Sequence, residues 1–321
     1  MVRKPTATFF EITTTPRFKA ISSWYACCSI FNSPDQSRIT NKVGILQNEY
    51  IISTDLDGTL LDHHTYRFNK AMPALEYCDN AQVPIVFNTS KTFIETERLC
   101  KTLNNNHPFI IENGSALYIP KNYFTKELDS KIPRYDAGAY WLYKFGLNRS
   151  EILSRLTTFN AQHPYKFRGF NAMSGRELCK VTGLSLDQAA SAQERQFSEP
   201  LYWQDSDENL QNFVKHLQLF GLNVIKGGRF VHVLGQSNKA KPLTYLKELY
   251  ELNSDNQQTV IALGDSDNDK DMLHCADIAI VIASPVHENP VIDKHPHLIR
   301  SRYQGPDGWN DAILTLLQDN A

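Results

Sequence analysis

The sequence predicts an α/β protein with a doubly wound, mostly parallel sheet and a second, inserted α/β domain. Short apolar runs of strand length alternate with segments of helical periodicity towards both ends of the chain. Between them, residues 126–227 are more polar and carry amphipathic helical patterns. Parallel strands joined by helices are the simplest arrangement for the alternating parts. An insertion into such a sheet lies over the strand ends that bind ligands, so we expect it to help select a substrate.

The individual elements follow from hydrophobic periodicity. Apolar runs predict strands over residues 49–53, 83–87, 109–111, 116–119, 259–263 and 278–282. Helical spacing predicts helices over residues 68–79, 92–103, 150–159, 209–220, 239–252 and 269–275. Gly221 provides a C-terminal stop for the fourth of these helices.

The pattern divides the chain into four parts. Residues 1–45 lack periodicity and are rich in Thr, Ser and basic residues, so we expect a disordered extension, with an organelle presequence as the alternative. Residues 46–125 are expected to form the first part of the core domain. Residues 126–227 are expected to form a cap domain, and residues 228–321 the second part of the core.

Composition excludes several classes of protein. The 321 residues are 41% hydrophobic and 21% charged, which excludes a wholly disordered chain and a fibre. The chain has 33 Lys and Arg residues and 35 Asp and Glu residues, which gives a net charge of −2. Without an excess of positive charge, a nucleic-acid partner is not expected. The longest apolar stretch, residues 278–283, is far shorter than the roughly 20 residues that span a bilayer, so no membrane partner is expected. Six cysteines without zinc-ligand spacing predict reduced thiols in a cytoplasmic protein, and the oligomeric state stays open.

The strongest chemical signal is a pair of acids, Asp55 and Asp57, directly after the first predicted strand and followed by Gly58. One carboxylate of such a pair can attack phosphorus while the other donates and then accepts a proton. Clustered acids also repel each other, and a hard cation with oxygen ligands relieves that repulsion. The alternative is a surface turn, since Asp and Gly both favour turns.

A second acidic motif, Gly264-Asp265-Ser266-Asp267-Asn268-Asp269, also follows a predicted apolar strand. Its carboxylates make a suitable Mg²⁺ site, with Asp265 as a ligand and Asp269 as a ligand or as support for one. Asn268 is expected to orient a neighbour. The motif lacks the spacing and terminal Glu of an EF-hand, so the remaining alternative is a solvated turn.

Two smaller motifs offer contacts to phosphate. Thr89 and Ser90 follow the second strand and precede a helix, where hydroxyls and amides can hold phosphate oxygens, although an ordinary N-cap has the same composition. Lys239 is the first residue of the predicted helix over 239–252 and can neutralise phosphate charge, although most lone lysines are solvated. Lys241 is the alternative lysine in this motif.

In this order the four motifs resemble those of the haloacid-dehalogenase-like phosphohydrolases, from about Tyr50 to the end of the chain. The resemblance implies that Asp55 is the nucleophile and that Asp57 is the general acid and base. It also implies that Thr89, with Ser90 as the alternative, and Lys239 bind phosphate. Mg²⁺ would be held by Asp55, by the main-chain carbonyl of Asp57, and by Asp265 and Asp269.

Four further segments resemble the mannosyl-3-phosphoglycerate phosphatase family, namely residues 112–116, 182–184, 195–200 and 227–232. The resemblance implies a sugar-phosphatase type of cap and a phosphorylated sugar-glycerate as substrate, giving mannosylglycerate, a compatible solute. Such a substrate carries a carboxylate and a phosphate, for which Arg195 and Arg229 offer bidentate cations. Ser198, Glu199 and His232 are expected to bind sugar or glycerate hydroxyls. The alternatives are an exposed helix for Arg195 and a solvent-facing strand position for His232.

Three rival functions remain open on the sequence. A phosphatase of another sugar phosphate, such as glucosyl-3-phosphoglycerate or sucrose phosphate, would use the same catalytic residues. A phosphomutase would return the phosphate to the sugar instead of passing it to water. A sensor without catalysis would be favoured if one of the acids were missing, and none is.

Overall fold

The computed structural model describes residues 50–227 and 229–319. The extension expected over residues 1–45 therefore lies outside the described residues, as do Cys27 and Cys28. In the described part, Cys78, Cys100, Cys179 and Cys275 are free thiols. None of the helices in this part combines the length and the apolar character needed to cross a membrane.

Two sheets organise the described residues. Their strands are β1 (Tyr50–Thr54), β2 (Ile85–Asn88), β3 (Phe109–Ile111), β4 (Ala116–Pro120), β5 (Arg134–Ala137), β6 (Tyr140–Lys144), β7 (Phe167–Gly169), β8 (Ser198–Trp203), β9 (Asn223–Lys226), β10 (Val231–Leu234), β11 (Thr259–Gly264), β12 (Ile278–Ala283) and β13 (Leu298–Gln304). The large sheet has the order β13-β12-β11-β1-β2-β3-β4-β6-β5, and the small sheet has the order β7-β8-β10-β9. Strands β13 to β3 pair in parallel, whereas β4, β6 and β5 pair antiparallel.

The α-helices of the described part are α1 (Met72–Asn80), α2 (Phe93–Thr102), α3 (Arg149–Gln162), α4 (Gly175–Thr182), α5 (Leu186–Gln193), α6 (Asp207–Leu219), α7 (Ala240–Ser254), α8 (Lys270–Cys275) and α9 (Gly305–Asp319). Helices cover both faces of the large sheet. Ile52 of β1 packs in the cluster that contains Trp309 of α9, whereas its neighbour Ile51 packs with Leu246 of α7. Successive strand residues point to opposite faces, so a strand buried on both faces is apolar throughout. The doubly wound parallel sheet predicted from the sequence is confirmed.

The small sheet is antiparallel throughout and has its own core. Helices α3 and α6 pack against one face through Phe159 and Phe213. A second apolar cluster contains Phe170, Leu178 and Ala189, and Phe230 packs against it. This sheet and its helices form the inserted α/β part, and it supplies one wall of the cleft described below.

The boundaries between the two sheets do not fall at the domain boundaries expected at residues 126 and 227. β5 and β6, inside residues 126–227, extend the large sheet, whereas β10, after residue 227, belongs to the small one. β5 was missed because its residues are mostly exposed and show no apolar run. β13 is also mostly exposed at the sheet edge, so its composition carries no strand signal.

Candidate active site

The candidate active site lies at the carboxyl ends of the central parallel strands. β1 ends at Thr54, directly before Asp55, and β11 ends at Gly264, directly before Asp265. The two strands pair in parallel, and the Asp55 amide donates to the Leu263 carbonyl at 2.9 Å. This register aligns the two strand ends, so the two acidic motifs share one site. Ligands bind at the same edge in open α/β sheets.

Lys239 lies between two carboxylates at the start of α7. Its fully buried ammonium nitrogen is 2.6 Å from Asp55 Oδ1 and 2.6 Å from Asp269 Oδ1. Burial alone would lower the pKa of Lys239, but Asp269 and Asp55 raise it overall, which keeps the ammonium charged. Lys241, the alternative lysine, is exposed, and its ammonium contacts the Gln236 carbonyl. Lys239 is therefore the lysine of this site.

Asp55 has one carboxylate oxygen free for chemistry. Among the described residues, the hydrogen bond to its side chain reaches Oδ1, from Lys239, and none reaches Oδ2. Burial raises the pKa of Asp55 well above its usual range; Lys239 opposes this shift, and Asp269 and Asp265 add to it. A carboxylate in this position is ionised more easily when a further cation is bound nearby.

The buried carboxylates also fit a metal ion. Asp55, Asp265 and Asp269 each offer one oxygen, and these three atoms lie within 4.8 Å of one another. Carboxylate oxygens are the donors that Mg²⁺ and other hard cations prefer. Asp269 has a second task, because its Oδ2 accepts the amides of Asp265 and Ser266 at 3.1 Å each. The acidic loop is thus held in place by one of its own carboxylates.

Asp265 is positioned by the turn that follows the first acid pair. Thr59 Oγ1 donates to its Oδ1 at 3.3 Å, and His287 Nε2 lies 3.1 Å from its Oδ2. Gly58 has a φ of +85°, and a Cβ at that position would lie 2.4 Å from Asp265 Oδ2. Only glycine permits both the left-handed backbone and this close approach. The contact between the two loops therefore accounts for Gly58 and Thr59 in this motif.

Asp57 lies in the same cleft and pairs with a residue that the sequence reasoning did not select. Lys91 Nζ is 2.7 Å from Asp57 Oδ2, and 16% of the Lys91 side chain is exposed. Asp57 Oδ1 is buried without a hydrogen-bond partner among the described residues. Lys91 stands two residues after Thr89 in a motif already selected for phosphate contacts, so the signal was its position in that motif.

Both candidate hydroxyls precede α2. Thr89 is buried directly after β2, and its Oγ1 accepts the Lys91 amide at 3.2 Å, whereas Ser90 lines the cleft. The N-cap of α2 is instead Thr92, whose side chain accepts the Glu95 amide in a capping box. The capping alternative thus falls on Thr92, and it leaves Thr89 and Ser90 in the turn before the helix, where Ser90 lines the cleft together with Asp55 and Asp57.

Three of the five predicted cap residues line the cleft together with Asp55 and Asp57: Arg195, Arg229 and His232. Arg195 is not on an exposed helix face, since 6% of its side chain is exposed. It donates to the Ser90 carbonyl at 3.0 Å, and its Nε is buried without a partner among the described residues. Burial, with smaller contributions from Arg195 and Lys239, lowers the pKa of His232 to about 3, so this ring is neutral at pH 7.

The structure does not bring Ser198 and Glu199 to the cleft, contrary to expectation. Both are fully buried at the start of β8. Ser198 Oγ donates to Glu112 Oε2 at 2.5 Å. Glu199 pairs with Arg149 at 2.6 Å and accepts the Asn171 amide at 2.8 Å. Their polar atoms are used inside the protein, a role that residue type alone does not distinguish from sugar binding.

Glu112 joins this small-sheet segment to the loop that carries Lys91, and in the sequence it stands out only as part of the segment 112–116. Its fully buried carboxylate accepts the amides of Gln196 and Phe197 at 2.8 and 3.1 Å. Its own amide donates to the Lys91 carbonyl at 3.0 Å. The available signal was an acid directly after the apolar strand β3, the same signal that identified Asp55.

Other cleft residues carry no chemical signal in the sequence. The small-sheet side contributes the apolar side chains of Phe170, Leu184, Ile225 and Phe230. The segment after Asp57 contributes the aromatic rings of His63 and Tyr66. Apolar and aromatic side chains make up much of a typical small-molecule site, so periodicity assigns such residues to the core.

Comparisons with known proteins agree with this geometry. Residues 52–289 match the family model of haloacid dehalogenase-like hydrolases. A glucosyl-3-phosphoglycerate/mannosyl-3-phosphoglycerate phosphatase of Methanococcoides burtonii is 34% identical over 272 residues, covering 85% of this chain and 98% of the relative. A phosphatase of the same name from Persephonella marina is 34% identical over 274 residues, covering 84% and 97%.

Solved structures resemble the fold at low sequence identity. A phosphatase of the haloalkanoate enzyme superfamily from Bacteroides thetaiotaomicron has a TM-score of 0.58 at 15% identity, covering 85% of this chain and 96% of that chain. A haloacid dehalogenase-like hydrolase from B. subtilis has a TM-score of 0.57 at 17% identity, covering 83% and 98%. These structures share the architecture of a large sheet with an inserted part.

Proposed function

The chain belongs to the haloacid dehalogenase-like hydrolases, and from that premise we propose that it hydrolyses mannosyl-3-phosphoglycerate to mannosylglycerate and phosphate. Relatives that match 84–85% of the chain carry the names of both the glucosyl and the mannosyl ester, so glucosyl-3-phosphoglycerate is the alternative substrate. The observation that carries the proposal is the pair of acids in one cleft. Asp55 keeps Oδ2 free of hydrogen bonds from described residues, and Asp57 Oδ1 is buried without a partner among them.

In the proposed reaction Asp55 Oδ2 attacks phosphorus in line, and the bond from phosphorus to the glycerate oxygen breaks. Asp57 protonates the leaving oxygen, which completes the alcohol product and leaves an aspartyl-phosphate on Asp55. Asp57 then takes a proton from water, the water oxygen attacks phosphorus, and the Asp55 carboxylate leaves. Lys239 offsets negative charge on Asp55 and on the transferring group throughout.

Mg²⁺ would be held by Asp55, the Asp57 carbonyl, Asp265 and Asp269, and it would supply positive charge against the phosphoryl oxygens. This assignment is supported by the oxygen donor set of three carboxylates. It is also supported by the raised pKa of Asp55, which is caused mainly by burial and to a smaller degree by Asp269 and Asp265. Thr89 or Ser90 would hold a phosphate oxygen, and Ser90 lines the cleft.

We further propose that the small sheet and its helices act as the cap that selects the alcohol part of the substrate. Arg195, Arg229 and His232 support this role because they line the cleft from that side. His232 is neutral at pH 7 and offers a ring nitrogen without a partner among the described residues, which suits a hydroxyl.

The test is phosphate release in the presence of Mg²⁺ from mannosyl-3-phosphoglycerate, glucosyl-3-phosphoglycerate, mannose phosphates and sucrose phosphate. We expect kcat/KM for a glycosyl-phosphoglycerate to exceed that for the other esters by about a hundredfold. Asp55→Asn should lower turnover at least a thousandfold, whereas Asp129→Asn, at an exposed aspartate, should leave it unchanged. Better turnover of another sugar phosphate would refute the substrate and leave the catalytic residues standing.

A phosphomutase with the same acids is distinguished by the fate of labelled phosphate. Label recovered as inorganic phosphate supports the hydrolase, and label recovered on a rearranged sugar phosphate supports the mutase.

A further inference from the structure

Lys91 is the cation that lies against the proposed general acid. Its ammonium nitrogen is 2.7 Å from Asp57 Oδ2, and its side chain lines the cleft. It is mostly buried, with 16% of the side chain exposed, and it lies 5.2 Å from the centre of the Tyr66 ring. Among the described residues, Asp57 is the one hydrogen-bond partner of the Lys91 ammonium group. An ammonium has three N–H donors, so two remain for a ligand in the cleft.

The proposed substrate brings a negative charge to this position. Asp57 protonates the ester oxygen of the leaving glycerate, so that oxygen must come within hydrogen-bond reach of the Asp57 carboxylate. Two carbon atoms separate the ester oxygen from the carboxylate of 3-phosphoglycerate. A carboxylate two carbon atoms from the leaving oxygen is within reach of the cation that is paired with Asp57.

We propose that Lys91 binds the glycerate carboxylate and thereby selects phosphate esters whose alcohol carries a carboxylate beside the leaving oxygen. This inference rests on the proposed function, and it names the residue that distinguishes a phosphoglycerate ester from a simple sugar phosphate. A sugar phosphate without a carboxylate leaves the two ammonium donors of Lys91 without an anionic ligand.

The two arginines of the cleft are less suited to the task. Arg195 Nη1 already donates to the Ser90 carbonyl at 3.0 Å and to Ser198 Oγ at 3.1 Å. Its Nε has no partner among the described residues, but no hydrogen bond or ion pair in that part of the chain links this guanidinium to Asp57. Arg229 lies between β9 and β10 on the small sheet, and no hydrogen bond or ion pair links it to Asp57 in the described part of the chain. Lys91 is the cation in contact with the group that meets the leaving oxygen.

The test uses a matched pair of substrates, glucosyl-3-phosphoglycerate and the same compound with its carboxylate reduced to a primary alcohol. A charge-assisted hydrogen bond corresponds to a factor of about 10 to 100 in kcat/KM. We therefore expect kcat/KM of the parent enzyme to be at least about tenfold higher for the substrate with the carboxylate than for the reduced compound. Lys91→Gln should abolish the preference, and Lys91→Arg should keep most of it. The comparison variant Arg229→Gln should change kcat/KM for both substrates by the same factor.

Each outcome decides between specific hypotheses. An equal loss on both substrates in Lys91→Gln would mean that Lys91 only positions Asp57, and it would overturn the inference. A preference that disappears in Arg229→Gln and survives in Lys91→Gln would assign the carboxylate to Arg229 instead. The parent enzyme could also release phosphate from mannose phosphate but from neither substrate of the matched pair. That outcome would refute the proposed function and this inference together.

A second measurement covers the case in which Lys91→Gln does not fold, which circular dichroism would detect. Glucosylglycerate should inhibit the parent enzyme at a concentration at least tenfold lower than glucosylglycerol does, because only the former carries the carboxylate. Equal inhibition by the two products would overturn the inference without any variant.

Discussion

Replacing Glu112 by Gln tests whether one buried carboxylate holds the small-sheet segment against the catalytic loops. Glu112 is fully buried, and its two oxygens accept the amides of Gln196 and Phe197 and the hydroxyl of Ser198. Gln keeps one acceptor oxygen and turns an NH₂ group towards a donor. At least one charge-assisted hydrogen bond is lost, and a donor is left unsatisfied.

A hydrogen bond to a charged group contributes about 1.5–3 kcal/mol, and a buried unsatisfied donor costs about 1–3 kcal/mol. We therefore expect Glu112→Gln to lower the free energy of unfolding by about 3 kcal/mol. The matched control is Glu127→Gln, since Glu127 pairs with Arg134 at the surface and 58% of its side chain is exposed. An exposed ion pair contributes about 0–1 kcal/mol, so the control should change stability little.

The assay has a global and a local readout. Urea unfolding followed by tryptophan fluorescence gives the change in free energy for both variants. Amide hydrogen exchange should be faster at Gln196 and Phe197 in Glu112→Gln alone, because those amides lose their acceptor. Equal destabilisation by the two variants, or unchanged exchange at these two amides, would refute the role assigned to Glu112.

Three further predictions concern charge. In EDTA, Lys239→Met should lower the free energy of unfolding by about 3–5 kcal/mol in urea titrations, because it leaves Asp55 and Asp269 facing each other without a buried cation. Chelation of divalent cations should stop phosphate release, and added Mg²⁺ should restore it; full activity after exhaustive chelation would refute the metal assignment. Burial lowers the pKa of His107 to about 4, with Asp79 opposing the shift, against about 6.5 in the unfolded chain. As the pH is lowered from 6.5 to 4, the unfolded chain therefore binds the proton before the folded protein does. The free energy of unfolding should fall by up to about 3 kcal/mol over this range. His107→Gln should flatten that decline in urea midpoints measured across this range, and an unchanged slope would count against the assignment.

The sequence was most informative where one local pattern has one structural solution. A strand apolar on both faces, as in β1 and β11, indicates a parallel sheet covered by helices, and acids directly after such strands must reach its carboxyl edge. Asp55 and Asp265 were identified in this way. Gly58 supports the same prediction, because glycine is the residue that most readily permits the left-handed backbone found there.

The sequence was less informative where a polar residue has several satisfactory surroundings. Ser198 and Glu199 have the side chains of sugar ligands, yet their hydrogen bonds are formed inside the protein with Glu112 and Arg149. The exposed strand β5 has too few apolar residues to be predicted as a strand from the sequence. Its place in the large sheet depends on its pairing with β6.

The sequence by itself determined the doubly wound sheet and the acids at its carboxyl edge, because strand periodicity and turn chemistry are local properties of the chain. The tertiary structure alone decided which contacts the site residues make. Lys91 against Asp57, Lys239 between two carboxylates, and Glu112 beneath the small-sheet segment are contacts between parts of the chain that only folding brings together. Their roles depend on burial and on partners within hydrogen-bond distance, and neither is encoded in the order of neighbouring residues.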